Sequence, residues 1–320
     1  MKHHRILVAC GILAAFFWIG STESRAETCV QRGALDVAYC DADGDLVADP
    51  PTDPAKLRNP KTLVWAFAPI EDPAVYAQLF RPFTKHLATC LDRQIVYYPV
   101  QSVAAEIAAM RAGRLHFAGF STGPTLEAVN RAGAVPFAAK GQSGEVRGYR
   151  LIAIVRADSP YQTLADLKGK RVAHVSAASN SGNLAPRALF PAEGLTPDVN
   201  YRPIMSGAHD RSVMGVLSHD YDMAAVASDV LQRLVERGAV DRTAIRTLYE
   251  SPLFPTSAFA HAHDLDPDLT EKLKACFFSF RFPPEMTAAF NGDEQFLPVR
   301  YDEAWKAVRA VTDVVGALPD

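Results

Sequence analysis

The segment Ser176-Ala-Ala-Ser179-Asn180-Ser181-Gly182 gathers hydroxyl and amide side chains within seven positions. It follows a short apolar strand, Arg171–Val175, and precedes a helix-like run over 183–193. The first N–H groups of a helix have no partner inside it, and the helix dipole adds partial positive charge there. Such a place suits an oxyanion. The plainer reading is that Ser179 or Ser181 caps the helix, as Ser residues before helices commonly do.

Other chemistries find little support. There is no Gly-x-Ser-x-Gly elbow, no Walker loop and no His-Glu-x-x-His, so nothing points to an enzyme or a resident cofactor. His261-Ala-His263-Asp264 suggests a metal, but two strand His rings two apart share one face with no third ligand near in sequence. Asp41-Ala-Asp43-Gly-Asp45-Leu-Val-Ala-Asp49 resembles a calcium loop without the twelfth-position Glu, and the ordinary reading is a solvated acidic turn. No metal is expected.

The N-terminus reads as an export signal. Lys2 and Arg5 give a basic start, Ile6 to Ile19 is almost wholly apolar, and Ser24-Arg25-Ala26 offers small residues for cleavage. That run is shorter than the ~20 residues needed to span a bilayer. The mature chain is expected to begin near Glu27, exported to the periplasm. Cleavage of 1–26 removes three bases and one acid, making the formal charge of −3 two units more negative. No basic face for a nucleic acid is evident. With 48% hydrophobic residues in 320, one large or two medium cores can form.

Four cysteines remain after cleavage. An even count in an exported chain favours disulfides. Cys29 and Cys40 are expected to pair, closing a loop in a polar segment too poorly periodic to hold itself by burial. Cys90 and Cys276 lie near the ends of apolar helical stretches and either pair or remain buried thiols.

Residues 27–60 form an Asp- and Pro-rich extension. From Thr62 onward strands and helices alternate. Asp72 and Pro73 start a helix whose inner face carries Val75, Leu79, Phe83 and Leu87. A second set of alternating units begins at Arg150. Two helices close the chain, over 267–280 and 302–315. This spacing predicts α/β lobes, each a mostly parallel sheet flanked by helices. Lobe one is expected over 61–149 and 251–320, lobe two over 150–250, with a ligand held between them.

The chain resembles the phosphonate/phosphite/phosphate-binding proteins of bacterial ABC importers, with the type II periplasmic-binding fold. The resemblance runs from about Thr62 to the C-terminus. It rests on Met110-Arg-Ala-Gly-Arg-Leu-His-Phe-Ala118, on Gly148 to Val155, on Asp158-Ser-Pro160 with Leu164 to Gly169, on Ser179-Asn-Ser-Gly182 with Pro186, on Gly207-Ala-His-Asp210, on Asp222 to Asp229, and on Ser251 to Pro255. It implies a periplasmic solute-binding protein for a small oxyanion, working with an ABC permease. A sensor of the same fold, for example for an arsenic oxyanion, signalling to a membrane histidine kinase, is the alternative. Carried over, Ser179, Asn180 and Ser181 hydrogen-bond the oxyanion, His209 supplies a ring N–H, and Asp229 accepts from a protonated oxygen or an amine. Phe120, with Ser121, closes over the ligand from lobe one. Val103 and Phe120 stand where the family has ligand-contacting Tyr residues, and Ser257 where aminophosphonate binders have an acid. An ammonium buried without a partner is costly, so the replacements favour phosphite, phosphate, a simple phosphonate or an arsenic oxyanion over an amine-bearing ligand.

Overall fold

The computed structural model describes Cys29, residues 31–68 and residues 73–316. The expected signal peptide and the Asp72 cap lie outside the described residues.

Unbroken apolar runs become buried strands, and four-residue periodicities become helices laid over them. In chain order the first unit comprises β1 (Thr62–Phe67), α1 (Pro73–Leu79), α2 (Arg81–Leu91), β2 (Gln94–Tyr97), α3 (Val103–Arg111), β3 (Phe117–Phe120), α4 (Thr122–Ala132), β4 (Ala134–Gln142) and β5 (Glu145–Val146). The single helix expected after Asp72 is interrupted at Phe80. Pro82 lacks an N–H and crowds the preceding turn. The short β6 (Gly148–Tyr149) then leads into a second unit. This holds β7 (Leu151–Arg156), β8 (Val172–His174), α5 (Ala185–Leu189), β9 (Pro203–Met205), α6 (His209–Leu217), β10 (Met223–Ala227), α7 (Ser228–Glu236) and β11 (Ile245–Glu250). The chain returns through β12 (Phe254–Pro255), which pairs antiparallel with β6. It ends in β13 (Ala258–Ala262), α8 (Pro267–Ser279), α9 (Pro284–Ala289), β14 (Gln295–Pro298), α10 (Tyr301–Ala304) and α11 (Lys306–Gly316).

Besides the two-stranded β6–β12 pair, two larger sheets are seen among the described residues, ordered β14-β4-β13-β3-β1-β2 with β5 beside β4, and β11-β7-β10-β8-β9. Both are flanked by helices, giving the expected α/β architecture. Their pairing is mixed rather than mostly parallel. β1 pairs parallel with β2 and β3, but β13 runs antiparallel to both β3 and β4. In the second sheet β7 is antiparallel to β10 and β11, while β8 is parallel to β9 and β10. The reason is the crossing. A strand returning from the other unit enters at the end from which its neighbour left, so it must point the opposite way.

The first sheet packs an aromatic core on one face, where Trp65, Phe83, Phe117, Phe277 and Phe296 are buried, and a smaller-residue core under α3 and α4 on the other. A third core spans the second sheet. The C-terminal helix, expected with the first lobe, lies against α4 and α5 and buries Val308 and Val311 in that third core. Cys90 is bonded to Cys276, tying α2 to α8, and Cys29 to Cys40.

The extension holds by more than its disulfide. Leu35, Tyr39, Val47 and Ala48 are buried. Asp36 pairs with Arg111 at 2.9 Å, and Tyr39 packs edge-on against His263.

Candidate functional site

Strand β8 ends at His174, and the chain turns through Ser179 into one wide turn over Asn180–Leu184 before α5. Ser179 caps it, its Oγ accepting the Gly182 N–H at 3.1 Å. Gly182 has no freedom to be anything larger: a Cβ there would lie 2.5 Å from the Val175 side chain. A buried polar network holds the loop from below. His174 bonds Asn183 Oδ1 at 2.9 Å and the Tyr201 hydroxyl at 2.8 Å, and Asn183 Nδ2 donates to the Ala177 carbonyl at 2.9 Å. Neither Asn180 nor Ser181 has a carbonyl available inside the turn for its backbone N–H.

Helix α6 begins with His209, which is buried. The Ala227 N–H donates to its Nδ1 at 3.1 Å. The ring's own proton therefore sits on Nε2, 3.4 Å from Ser179 Oγ. Burial pushes the imidazole down to about 4, against a smaller opposing pull from Asp229. A neutral ring still donates through Nε2–H.

Asp229 lies in the first turn of α7. Its Oδ2 accepts from Arg233 Nη1 at 3.0 Å, while its buried Oδ1 has no hydrogen-bond partner among the described residues. From the first unit, Asn291 reaches across and donates its Nδ2 to the Asp229 carbonyl at 3.1 Å.

These groups line a cavity of about 540 Å³ between the two units. Ser121, Ser179, Asn180, Ser181, His209 and Asp229 all face it, as do Val103 and Ser257. Phe120 does not. Side chains alternate along β3, so Phe117 faces the aromatic core and Phe120 the face beneath α3 and α4, where it is fully buried. The expectation that Phe120 closes over the ligand is corrected.

Several cavity residues escaped the sequence reading. Tyr149, on the crossing strand β6, accepts from Asn180 Nδ2 at 3.1 Å. Burial raises this phenol to about 12, so it stays protonated and supplies a hydroxyl that Val103 cannot. Lys140, Arg147, Arg233 and Asp293 also line the cavity. The acid missing at Ser257 thus has a counterpart in Asp293, carried by a different element.

Comparison with known proteins agrees with the fold. A family model described as "ABC transporter, phosphonate, periplasmic substrate-binding protein" matches residues 65–304. The phosphate-import protein PhnD of Mycolicibacterium smegmatis is 28% identical over 232 residues, 68% of this chain and 71% of that one. The phosphonates-binding periplasmic protein of Escherichia coli is 22% identical over 244 residues, 72% of each chain. Among solved structures, PhnD1 of Prochlorococcus marinus in complex with methylphosphonate superposes with a TM-score of 0.70 at 18% identity, over 81% of this chain and all of that one. The matched family is a transporter's binding component, not an enzyme, and its description favours the importer over the sensor. The chain therefore belongs to the phosphonate family of periplasmic substrate-binding proteins of ABC transporters.

Proposed function

We propose that the chain captures a small tetrahedral oxyanion of the phosphonate, phosphite or phosphate kind on Ser179, Asn180, Ser181 and His209. Asp229 lies beside the anion from the same lobe and Ser121 faces it from the other, and an inner-membrane permease receives it. The observation that carries this reading is the fixed tautomer of His209. With Nδ1 engaged by the Ala227 N–H, the ring can only offer a donor to the cavity, beside Ser179 Oγ. Hydroxyl, amide and ring donors then converge where an anion accepts and a cation cannot. Export with cleavage near Ala26 completes the proposal.

Hydrogen bonds to charged groups contribute roughly 1.5–3 kcal/mol each. Ser181→Ala or His209→Ala should therefore weaken binding of the preferred anion about ten- to a hundredfold by calorimetry. Far-UV circular dichroism should barely change. Unaltered affinity in both variants would reduce the loop to a helix cap.

A further inference from the structure

Beyond Asp229 the cavity continues into a second polar region that the oxyanion reading does not use. It is built mainly from the first unit. Lys140, on β4, is 5% exposed, with its Nζ 4.7 Å from the centre of the Phe290 ring and no hydrogen bond to a described residue. Asp293 is 4% exposed, and its Oδ1 has no hydrogen-bond partner among the described residues, Arg147 Nε lying 3.9 Å away. Asn291 Oδ1 and Thr256 Oγ1 are likewise buried and unpartnered, as is Asp229 Oδ1 at the junction with the oxyanion loop. The orientation of Asn291 is settled by its own bond, since the Asp229 carbonyl it meets can only accept. Buried polar atoms are nearly always paired, so several orphans on one wall mark places for ligand atoms.

The cavity volume, about 540 Å³, sits in the ~300–1,000 Å³ range of sites for whole organic ligands. A bare oxyanion fills a small part of it. Charge and hydrogen bonding then narrow the rest of the ligand. Among the described residues, Lys140, Arg147 and Arg233 line the cavity together with the carboxylates of Asp229 and Asp293. Arg233 already holds Asp229 at 3.0 Å. The Lys140 and Arg147 charges already act on Asp293. A ligand ammonium here would meet Lys140 with no carboxylate to itself. The orphans are mostly acceptors, whereas Lys140 is a donor. A group serving both, without charge, is a hydroxyl.

Resting on the oxyanion reading above, we propose that the ligand is a tetrahedral oxyanion carrying a hydroxylated carbon chain, and that Lys140 and Asp293 read its hydroxyls. Lys140 Nζ donates to the hydroxyl oxygen, and the hydroxyl donates to Asp293 Oδ1 or to Asn291 Oδ1. The bonds to Lys140 and Asp293 each have a charged member, which makes them stronger than neutral ones.

The test is calorimetry on the purified exported protein with ethylphosphonate, 2-hydroxyethylphosphonate, 2-aminoethylphosphonate and glycerol 3-phosphate. The last separates a phosphate ester from a carbon–phosphorus ligand. At least one hydroxylated ligand should bind about tenfold or more tighter than ethylphosphonate, and tighter than the amine. In Lys140→Met and in Asp293→Asn that advantage should fall to within about threefold. The ratio within each variant is the readout, so a general loss of affinity does not obscure it, and a variant that fails to fold leaves the other to report. Ethylphosphonate or the amine binding best, or an intact hydroxyl advantage in both variants, would overturn the subsite while leaving the oxyanion loop standing. No binding by any of the four would overturn the subsite, and no binding of phosphite or phosphate either would overturn the oxyanion loop with it.

Discussion

The phenol of Tyr149 shows how one atom organises the oxyanion loop. It accepts from the Asn180 amide at 3.1 Å, tying the second-unit loop to a residue on the crossing strand itself. Tyr149→Phe strips that oxygen and leaves the Asn180 amide, itself buried, without its partner. Orphaning a buried donor costs about 1–3 kcal/mol. Affinity for the preferred oxyanion should fall roughly three- to a hundredfold, with a drop in melting temperature that Ser181→Ala does not show. Equal affinity for Tyr149→Phe and the parent protein would remove the phenol from the site. Tyr149 was readable as part of a family-like segment but not as a site residue, because nothing local says that a hinge strand lines a cleft. Lys140 and Asp293 were harder still. One sits in an apolar strand and the other in an irregular stretch, and only the β4–β14 pairing brings the two regions together.

Two predictions belong to the elements. The N-terminus of α4 abuts the oxyanion loop across the cleft: a Cβ on Gly123 would lie 2.3 Å from the Ala178 carbonyl oxygen. Gly123→Ala should hold the lobes apart, weakening the anion about tenfold or more while leaving denaturant stability nearly unchanged. Scattering in the presence of ligand should show the variant less compact than the parent. The disulfides rank in the opposite order from their sequence prominence. Cys29–Cys40 closes 11 residues and Cys90–Cys276 closes 186. In the chain-entropy model the losses on removing them are about 3 and about 5 kcal/mol. Urea unfolding of the two double Cys→Ala variants should show the larger loss for Cys90 and Cys276. The elements that carry the site, β8, α6 and α7, could be read because apolar strands and capped helices announce themselves locally. β14 could not. Its four residues end at Pro298 and show no extended alternation, and the strand exists because β4 offers it an edge.

At the scale of the molecule, acid should be the weak side. Burial holds His174, His209 and His261 down to about 4 against an ordinary 6.5. As pH falls below 6.5 the unfolded chain binds protons that the folded chain refuses. Stability from these rings is therefore whole above pH 6.5 and is lost on the way down to 4. At pH 5 the loss is on the order of 2 kcal/mol per ring. Glu106 and Asp293 act in the other sense, since burial raises both carboxyls and the folded chain takes up their protons first. Asp45, raised to about 6, acts with them, while burial holds His116 and His263 down as well; with five rings on the losing side, denaturant unfolding should give a lower stability at pH 5 than at pH 7. His261→Leu, which removes a ring whose Nε2 has no hydrogen-bond partner, should shrink that difference by about 2 kcal/mol. An unchanged difference would show that His261 is not held neutral. The two-lobed plan itself was legible from the alternation of strands and helices. The course of α11 was not, because an amphipathic helix tells which face it buries but not against which partner.

The contact between Gly123 and Ala178 also bears on time. Asn180, Ser181 and His209 are 2%, 1% and 8% exposed, so little of them meets bulk solvent in this arrangement. Separation of α4 and the oxyanion loop should therefore admit the anion and release it again. Capture is then a two-step event whose observed rate levels off at high anion concentration, at a ceiling set by lobe opening rather than by diffusion. Residence is set by the same opening, so anions of quite different affinity should share one ceiling in stopped-flow fluorescence. A protein built this way delivers its cargo on a schedule dictated by whatever pries the lobes apart, which places the permease, and not the anion, in charge of release.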